Sequence, residues 1–285
     1  YKYTDWSAAL SEINYKFPDL QVIFTGSPVM RLKADNPHLA GKVASYHLRG
    51  LSFREFLNHE SGNNFSKYAL EDILKYHTEI AKDILIKVKP LAYFDDYLRH
   101  GFYPFYVDDH NFNEDMIKTV NLTLEIDIPY LQQMEPAYLP KLRRLILLIS
   151  NSMPHNPNIS QLSNGISTSR ATVMNYLKYL KNARLINLVY DGAVDDSKKP
   201  DRVYFQNTNL LHSISITPPG ADALSETFAM NQLQKDHTVE GNGKSGEFVV
   251  ADKYIFKTSK TRSTTGTDNV FYTLFSEEVG QGNKI

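Results

Sequence analysis

The sequence predicts a protein of α/β plus α class, built from several small units along 285 residues. Three observations support this prediction. Two short apolar runs lie near the start, a helix-turn-helix pattern with a charged hairpin lies in the middle, and apolar stretches typical of strands lie near the end. With 42% hydrophobic and 22% charged residues, the composition is that of an ordinary globular chain. This length is enough for more than one domain, each with a modest core.

The opening part of the chain predicts an incomplete α/β unit. A helix is predicted to begin after Thr4 or Asp5, because apolar residues then recur at helical spacing. The apolar runs 20–25 and 43–48 predict two strands, the first buried on both faces as in a parallel sheet. This helix-strand-loop-strand order is too short for a complete doubly wound sheet.

The middle of the chain predicts a series of helices and then one recognisable unit. Helical periodicity indicates helices near 70–87, 92–99, 114–132 and 140–151.

The unit that follows begins with a short helix at Ile159, a turn at Gly165 and a second helix over 168–183. A strand at 185–190, a charged hairpin tip and a return strand at 203–206 complete it. This order is typical of a winged helix-turn-helix.

The end of the chain predicts a small α/β unit. Pro218 and Pro219 separate it from the preceding unit. The pattern indicates a helix near 222–235, a glycine-rich loop, and strands near 248–250, 254–256 and 270–275.

Charge is unevenly distributed, although the net charge is only −1. Between Ala137 and His212, ten lysines and arginines stand against four acidic residues, so this stretch carries +6 and the remainder −7. A basic stretch in a near-neutral chain points to a polyanionic partner.

Composition excludes several kinds of site. The chain has no cysteine, which excludes disulfides, thiolate nucleophiles and cysteine zinc sites. The nine histidines show no metal-ligand spacing such as His-x-x-x-His. No apolar run reaches the roughly 20 residues of a membrane span, so the sequence favours a soluble, cytoplasmic protein.

Five short stretches together resemble one known family. They are Phe24-Thr25-Gly26-Ser27, Ala40-Gly41-Lys42, Gly50-Leu51-Ser52-Phe53-Arg54-Glu55-Phe56, Tyr97-Leu98-Arg99-His100-Gly101 with Pro104, and Gly246-Glu247-Phe248-Val249-Val250. In this order the chain resembles bacterial and archaeal AAA+ ATPases that join a winged helix and a restriction-endonuclease-like domain to the ATPase core.

The resemblance implies four regions. They are the C-terminal half of an AAA+ P-loop core over 1–60, a helical lid over 61–111, a winged-helix domain over 112–212 and an incomplete nuclease-like domain over 213–285. The phosphate-binding loop and the acidic Walker B strand would precede Tyr1, so the chain is expected to be a fragment. ATP and Mg²⁺ would bind the complete protein, and this chain is expected to bind neither tightly.

For ATP hydrolysis, the resemblance implies four candidate residues. Thr25 or Ser27 would be the polar sensor that orients water beside the γ-phosphate. Lys42 stands where relatives have an arginine that could reach a neighbouring subunit's nucleotide, and it lacks the bidentate fork of arginine. Glu55 is a further candidate, although its spacing from Ser52 also fits a capping box.

For DNA, the candidates lie on the second helix of the winged unit and on its hairpin. They are Ser169, Arg170, Lys178, Lys181, Lys198 and Lys199. Hydroxyls and cations in these places suit phosphate contacts. The alternative is that this basic surface is only solvated and the unit packs against the ATPase core or a partner.

For a nuclease, the resemblance implies a degenerate site of Glu226, Glu247, Lys257 and Lys260. A cation replaces a carboxylate that would bind Mg²⁺, so the site is expected to be inactive. A second motif, Gly241-Asn242-Gly243-Lys244-Ser245, is rejected as a phosphate loop, because Thr238 replaces the first glycine and a strand follows.

The sequence therefore predicts a fragment of an AAA+ ATPase that couples ATP binding and hydrolysis to a winged-helix unit and a degenerate nuclease-like unit. The alternative is a non-catalytic DNA- or protein-binding module. The expected partners are DNA, another protein or further copies of the chain, and no membrane.

Overall fold

The computed structural model describes residues 5–26, 37–107, 111–152, 156–192, 197–258, 269–273 and 275–285. The helices are α1 (Trp6–Lys16), α2 (Phe53–Ser61), α3 (Leu70–Leu85), α4 (Leu91–Asp96), α5 (Phe112–Leu122), α6 (Ile128–Gln132), α7 (Leu139–Ser150), α8 (Ile159–Gly165), α9 (Arg170–Asn182), α10 (Thr208–Ile214) and α11 (Ala221–Leu233). The strands are β1 (Ile186–Val189), β2 (Arg202–Phe205), β3 (Val239–Asn242), β4 (Lys244–Val250), β5 (Tyr254–Lys257) and β6 (Val270–Tyr272). Among the described helices, none is both long and apolar enough to cross a membrane.

The largest core lies in the centre of the chain, where α5 to α10 and one face of the β1–β2 hairpin pack together. Helix α9 shows how the sequence builds it: Val173, Leu177 and Leu180 recur at helical spacing and are all completely buried. Ser169 caps this helix by accepting a hydrogen bond from the backbone N–H of Thr172 at 3.1 Å. We call residues 139–205, which comprise α7 to α9 and the hairpin, the central unit.

The C-terminal sheet has the strand order β3-β4-β5-β6, antiparallel except for the parallel pair β5–β6. Helix α11 covers one face through Ala229 and Met230, which share a core with Phe248 and Val250 of β4. The predicted strands at 248–250 and 254–256 are confirmed, and of the strand predicted at 270–275 the part 270–272 is confirmed. Strand β3 was not predicted, because Gly241 and Gly243 read as a loop.

The β1–β2 hairpin lies between these two cores and is buried on both faces. Ile186 and Phe205 belong to the central core, whereas Val189 and Tyr204 belong to the core of the C-terminal sheet. At the end of β1, Asp191 bridges to Gly241 of β3. The hairpin is therefore fixed to the C-terminal sheet and does not project as an independent wing.

Aromatic side chains join α2, the end of α4 and α11. Phe53 of α2 contacts Phe94 of α4 at a ring-centroid distance of 5.2 Å, and Phe94 contacts Phe228 of α11 at 4.9 Å. Edge-to-face pairs of this kind add to the stabilisation from apolar burial. The aromatic residues of this region therefore serve packing.

Helix α10 was not predicted, and it supplies an important polar contact. Helix α4 continues into a π-helical turn over Tyr97–Gly101, and completely buried Asn209 of α10 closes this irregular backbone. The Asn209 amide donates to the carbonyls of Tyr97 and Leu98 at 2.9 and 3.0 Å and accepts from the N–H of Phe102 at 2.9 Å. A side chain thus satisfies backbone groups that a regular helix would pair internally.

The two strands predicted at 20–25 and 43–48 are wrong. Both segments lack strand structure, and their apolar side chains are exposed: Ile23 is 86% accessible and Tyr46 is 90% accessible. A strand buried on both faces needs neighbouring strands to pair its backbone and helices to cover it. No described strand pairs with either segment, so their apolar sequence alone did not produce a sheet.

Candidate functional site

The sensor and finger candidates line one groove. Thr25 is exposed, Lys42 donates from Nζ to Ser11 Oγ of α1 at 2.6 Å, and both border a groove of about 1410 Å³. Ser27 lies outside the described residues. The other wall of this groove belongs to the central unit, through Lys181, Asn182 and Arg184.

Glu55 does not join this groove and instead fixes the start of α2. It accepts from the backbone N–H and hydroxyl of Ser52, both at 2.7 Å, and from Lys235 Nζ at 2.8 Å. Partial burial favours the neutral carboxyl, but the bonds from Lys235 and Ser52 outweigh it and lower the pKa of Glu55 to about 2. The capping-box interpretation of Glu55 is confirmed, and α2 is tied to the end of α11.

The DNA candidates of α9 spread along its outer side. Arg170 is exposed at the first turn, while Lys178 and Lys181 are half-buried further along. Ser169 uses its hydroxyl within the cap, at 2.8 Å from Thr172 Oγ1. Within the described ranges, neither Arg170 nor Lys178 has a carboxylate partner.

The remaining DNA candidates, Lys198 and Lys199, are exposed beside the hairpin. The base of the hairpin is held by Arg202, whose guanidinium donates to the carbonyl of Gly243 at 2.8 Å. Asp191 accepts from the N–H of Gly243 at 3.0 Å. The two lysines therefore stand on a segment whose ends are fixed.

The three described nuclease candidates do not share one site, because Glu226 is separated from the Glu247–Lys257 pair. Glu226 is buried against β4 and accepts at 2.8 Å from both Tyr204 Oη and Ser245 Oγ. Burial raises its pKa, against the opposing effect of those hydrogen bonds. Glu247 follows Gly246, which faces Glu226, so Glu247 points to the opposite face of the sheet.

On that opposite face, Glu247 is neutralised by protein groups. Lys257 donates to it at 3.1 Å and Asn242 at 3.2 Å. Lys260 lies outside the described residues. In the part of the chain that is described, no three histidine, aspartate or glutamate side chains cluster as metal ligands.

The rejected phosphate-loop motif forms the tight connection between β3 and β4. Gly243 adopts a φ of 74°, which turns the chain directly from one strand into the next. No helix N-terminus follows, as phosphate binding by such a loop requires.

Two cations that sequence reasoning missed, Arg49 and Arg184, lie where the groove meets a second cavity of about 230 Å³. We call this second cavity the junction cavity. Arg49 donates to the carbonyl of Gln234 at 2.7 Å. The sequence did contain one indication that Arg184 is unusual. It directly follows the helix predicted over 168–183, at a position where glycine or asparagine is usual.

Comparison with known proteins adds two family-model matches. Residues 1–57 match an AAA domain, and residues 91–219 match a domain of unknown function, DUF8612. No curated protein and no solved structure matches the chain. The second match encloses both the π-helical turn and Asn209, which closes it. The match over residues 1–57 supports a relation of this chain to the AAA-type ATPases.

Proposed function

We propose that this chain is the part of an AAA-type ATPase that binds duplex DNA, and that the central unit acts as its winged helix. The relation to ATPases rests on the AAA domain match over residues 1–57. The DNA contact rests on the outer side of α9.

The observation that carries the DNA proposal is the division of α9 into an apolar and a basic side. Val173, Leu177 and Leu180 fill the core, and the 13-residue helix contains no acidic residue. Arg170 and Lys178 have no ion-pair partner among the described residues. A helix packed on one side and cationic on the other is suited to the major groove, with phosphates on both flanks.

The fixed hairpin is consistent with α9 lying in the major groove of DNA. Because its strands are buried on both faces, α9 and the hairpin keep one relative orientation. We propose that Lys199, exposed at the tip of this hairpin, adds a contact to the phosphate backbone. The C-terminal sheet takes no nucleolytic part in this proposal, since Glu226 and Glu247 occupy opposite faces.

AAA domains in general bind ATP with Mg²⁺, which supplies charge stabilisation for phosphoryl transfer. The described residues do not fit that group: no carboxylate lines the groove beside Thr25 and Lys42 to bind Mg²⁺ or its water shell. We therefore propose Thr25 and Lys42 only as a surface that borders such a site, and no hydrolytic step follows from them.

The test is fluorescence anisotropy of a labelled duplex at several salt concentrations. The Arg170→Ala, Lys178→Ala double variant should lose most of the affinity for DNA. The dependence of log affinity on log salt concentration should become less steep, by the amount expected for the loss of about two phosphate contacts. Arg144→Ala removes another exposed arginine, on α7, and serves as the control. Absence of binding to duplex at low salt, or equal affinity of the double variant, would refute the proposal.

A protein partner is the second candidate, favoured by the exposed apolar side chains of the opening segment. Ile23, Tyr46 and Leu48 are almost fully accessible, and exposed apolar groups in one region often mark an interface. Light scattering of the chain over a range of concentrations should then show self-association that Ile23→Ser weakens. A monomer at every concentration leaves only a different protein as partner.

A further inference from the structure

The cavity system between the opening segment and the central unit is rich in cations and has no acidic wall. Its groove and junction cavity are bordered by Lys42, Arg49, Lys181, Arg184 and Lys235. Among the described residues, no aspartate or glutamate borders either space. Lys235 is compensated from outside the cavity by Glu55 at 2.8 Å, so we consider the positive charge of Arg49 and Arg184, which border both spaces.

Arg49 and Arg184 place their positive charge where the two spaces meet. The one hydrogen bond of the Arg49 guanidinium within the described ranges goes to a neutral carbonyl, that of Gln234. No carboxylate lies within ion-pair distance of either arginine in those ranges. Burial, and then the nearby charge of Arg49, lower the pKa of Arg184. Two like charges thus border the same cavity, and no carboxylate among its described lining residues compensates them.

The backbone at Arg184 gives a second, independent indication. The N–H of Leu185 bonds to the carbonyl of Leu180, and the N–H of Arg184 bonds to that of Lys181, which is a Schellman end to α9. Arg184 occupies its left-handed position at a φ of 55°. Glycine is favoured there because a Cβ is strained, so an arginine indicates a use for its side chain.

We propose that Arg49 and Arg184 form a binding site for a phosphate group, either free phosphate or the phosphate of a nucleotide. Guanidinium groups bind phosphate through paired, charge-assisted hydrogen bonds. A bound anion would also remove the repulsion between the two arginines. The amides of Gln206 and Gln234 border both spaces and can contact the remaining phosphate oxygens.

This site is separate from Arg170 and Lys178, which carry the DNA proposal and border neither cavity. It lies after the C-terminal end of α9, whereas Arg170 occupies the first turn of the same helix. The two proposals can therefore fail independently.

The test is thermal unfolding of the whole chain with inorganic phosphate, with a nucleoside triphosphate, and with chloride at equal ionic strength. Phosphate or nucleotide should raise the Tm of the wild-type chain by a few degrees more than chloride does. Arg184→Gln and Arg49→Gln should each abolish that extra shift. Arg144→Gln, which removes a guanidinium outside the cavity, should keep it.

The unliganded variants give a second readout. Without any added anion, Arg184→Gly should unfold at a higher temperature than the wild type, because it relieves both the repulsion and the left-handed strain. Loss of the anion effect together with higher basal stability is a result that simple misfolding cannot produce.

Three results would overturn the site. One is that neither phosphate nor nucleotide exceeds chloride, and another is an equal shift in Arg184→Gln. The third is that Arg184→Gln loses DNA affinity while the wild type shows no phosphate effect, which would assign Arg184 to the DNA surface. If the nucleotide raises the Tm more than chloride does, inorganic phosphate does not, and Arg184→Gln removes the extra rise, then the nucleotide is the ligand.

Discussion

Two regions of this molecule contain similar apolar runs and use them in opposite ways. In residues 5–49, Ile23 and Tyr46 belong to strand-like stretches and remain exposed. In the central unit, Ile186 and Val203 belong to stretches of the same character and are completely buried. The two regions differ in whether their apolar segments have other segments to pair with. Strands β1 and β2 pair with each other and are covered by helices and a second sheet.

Compensation of charge also differs from place to place in the molecule. Lys257 at the C-terminal sheet is paired with Glu247, and Lys235 beside the junction cavity is paired with Glu55. Arg49 and Arg184, which border the same cavity, have no acidic partner among the described residues.

The largest expected contrast comes from truncating one apolar side chain in each region. Leu177→Ala should lower the free energy of unfolding by about 2–5 kcal/mol, because Leu177 is completely buried and a cavity remains. Ile23→Ala should change it by less than about 0.5 kcal/mol, because its side chain is already in solvent. Urea unfolding measures both. Similar losses at the two positions would show that the opening segment is packed in solution.

A polar substitution tests whether side chains inside the packed region organise its irregular backbone. Asn209→Ala should cost about 2–4 kcal/mol, because it removes three hydrogen bonds and leaves the carbonyls of Tyr97 and Leu98 and the N–H of Phe102 without that partner. Asn175→Ala, at an exposed position of α9, is the matched control and should change stability little. A small effect at Asn209 would mean that the π-helical turn is stable without the hydrogen bonds of Asn209.

The smallest effect concerns the boundary between the two regions, where Glu55 fixes the start of α2. Its folded-state pKa of about 2 lies below the ordinary value of 4.5. The contribution of its charge to the free energy of unfolding is therefore present above about pH 4.5 and disappears as the pH falls towards 2. Glu55→Gln should cost about 1 kcal/mol at neutral pH, since it weakens the capping box and a half-exposed ion pair.

Stability measured from pH 6 to pH 2 checks this. The difference between the wild type and Glu55→Gln should shrink towards zero at the acid end. A difference that stays constant with pH would mean that the charge of Glu55 contributes nothing and only its shape matters.

Much of the helical structure was predictable because it depends on local periodicity. The pattern of Val173, Leu177 and Leu180 gave the buried side of α9, and Ser52 with Glu55 gave the capping box. The short helix α10 and strand β3 were missed. The first depends on Asn209 reaching a distant backbone, and the second depends on glycines that pair with the hairpin.

The candidate site was predictable only in part. The basic character of α9 follows from the sequence, but the separation of Glu226 from Glu247 depends on which face of β4 each one meets. The pairing of Arg49 with Arg184 joins residues far apart in the chain, and no local pattern relates them.

By itself, the sequence determined where most helices form, which side of each is apolar, and where basic residues accumulate, because these depend on neighbours within a few positions. The tertiary structure alone decided that the hairpin is fixed between two cores, that residues 20–25 and 43–48 form no strand, and that two arginines border one cavity. Pairing and burial require groups from distant parts of the chain, and a one-dimensional pattern does not specify which of those groups meet.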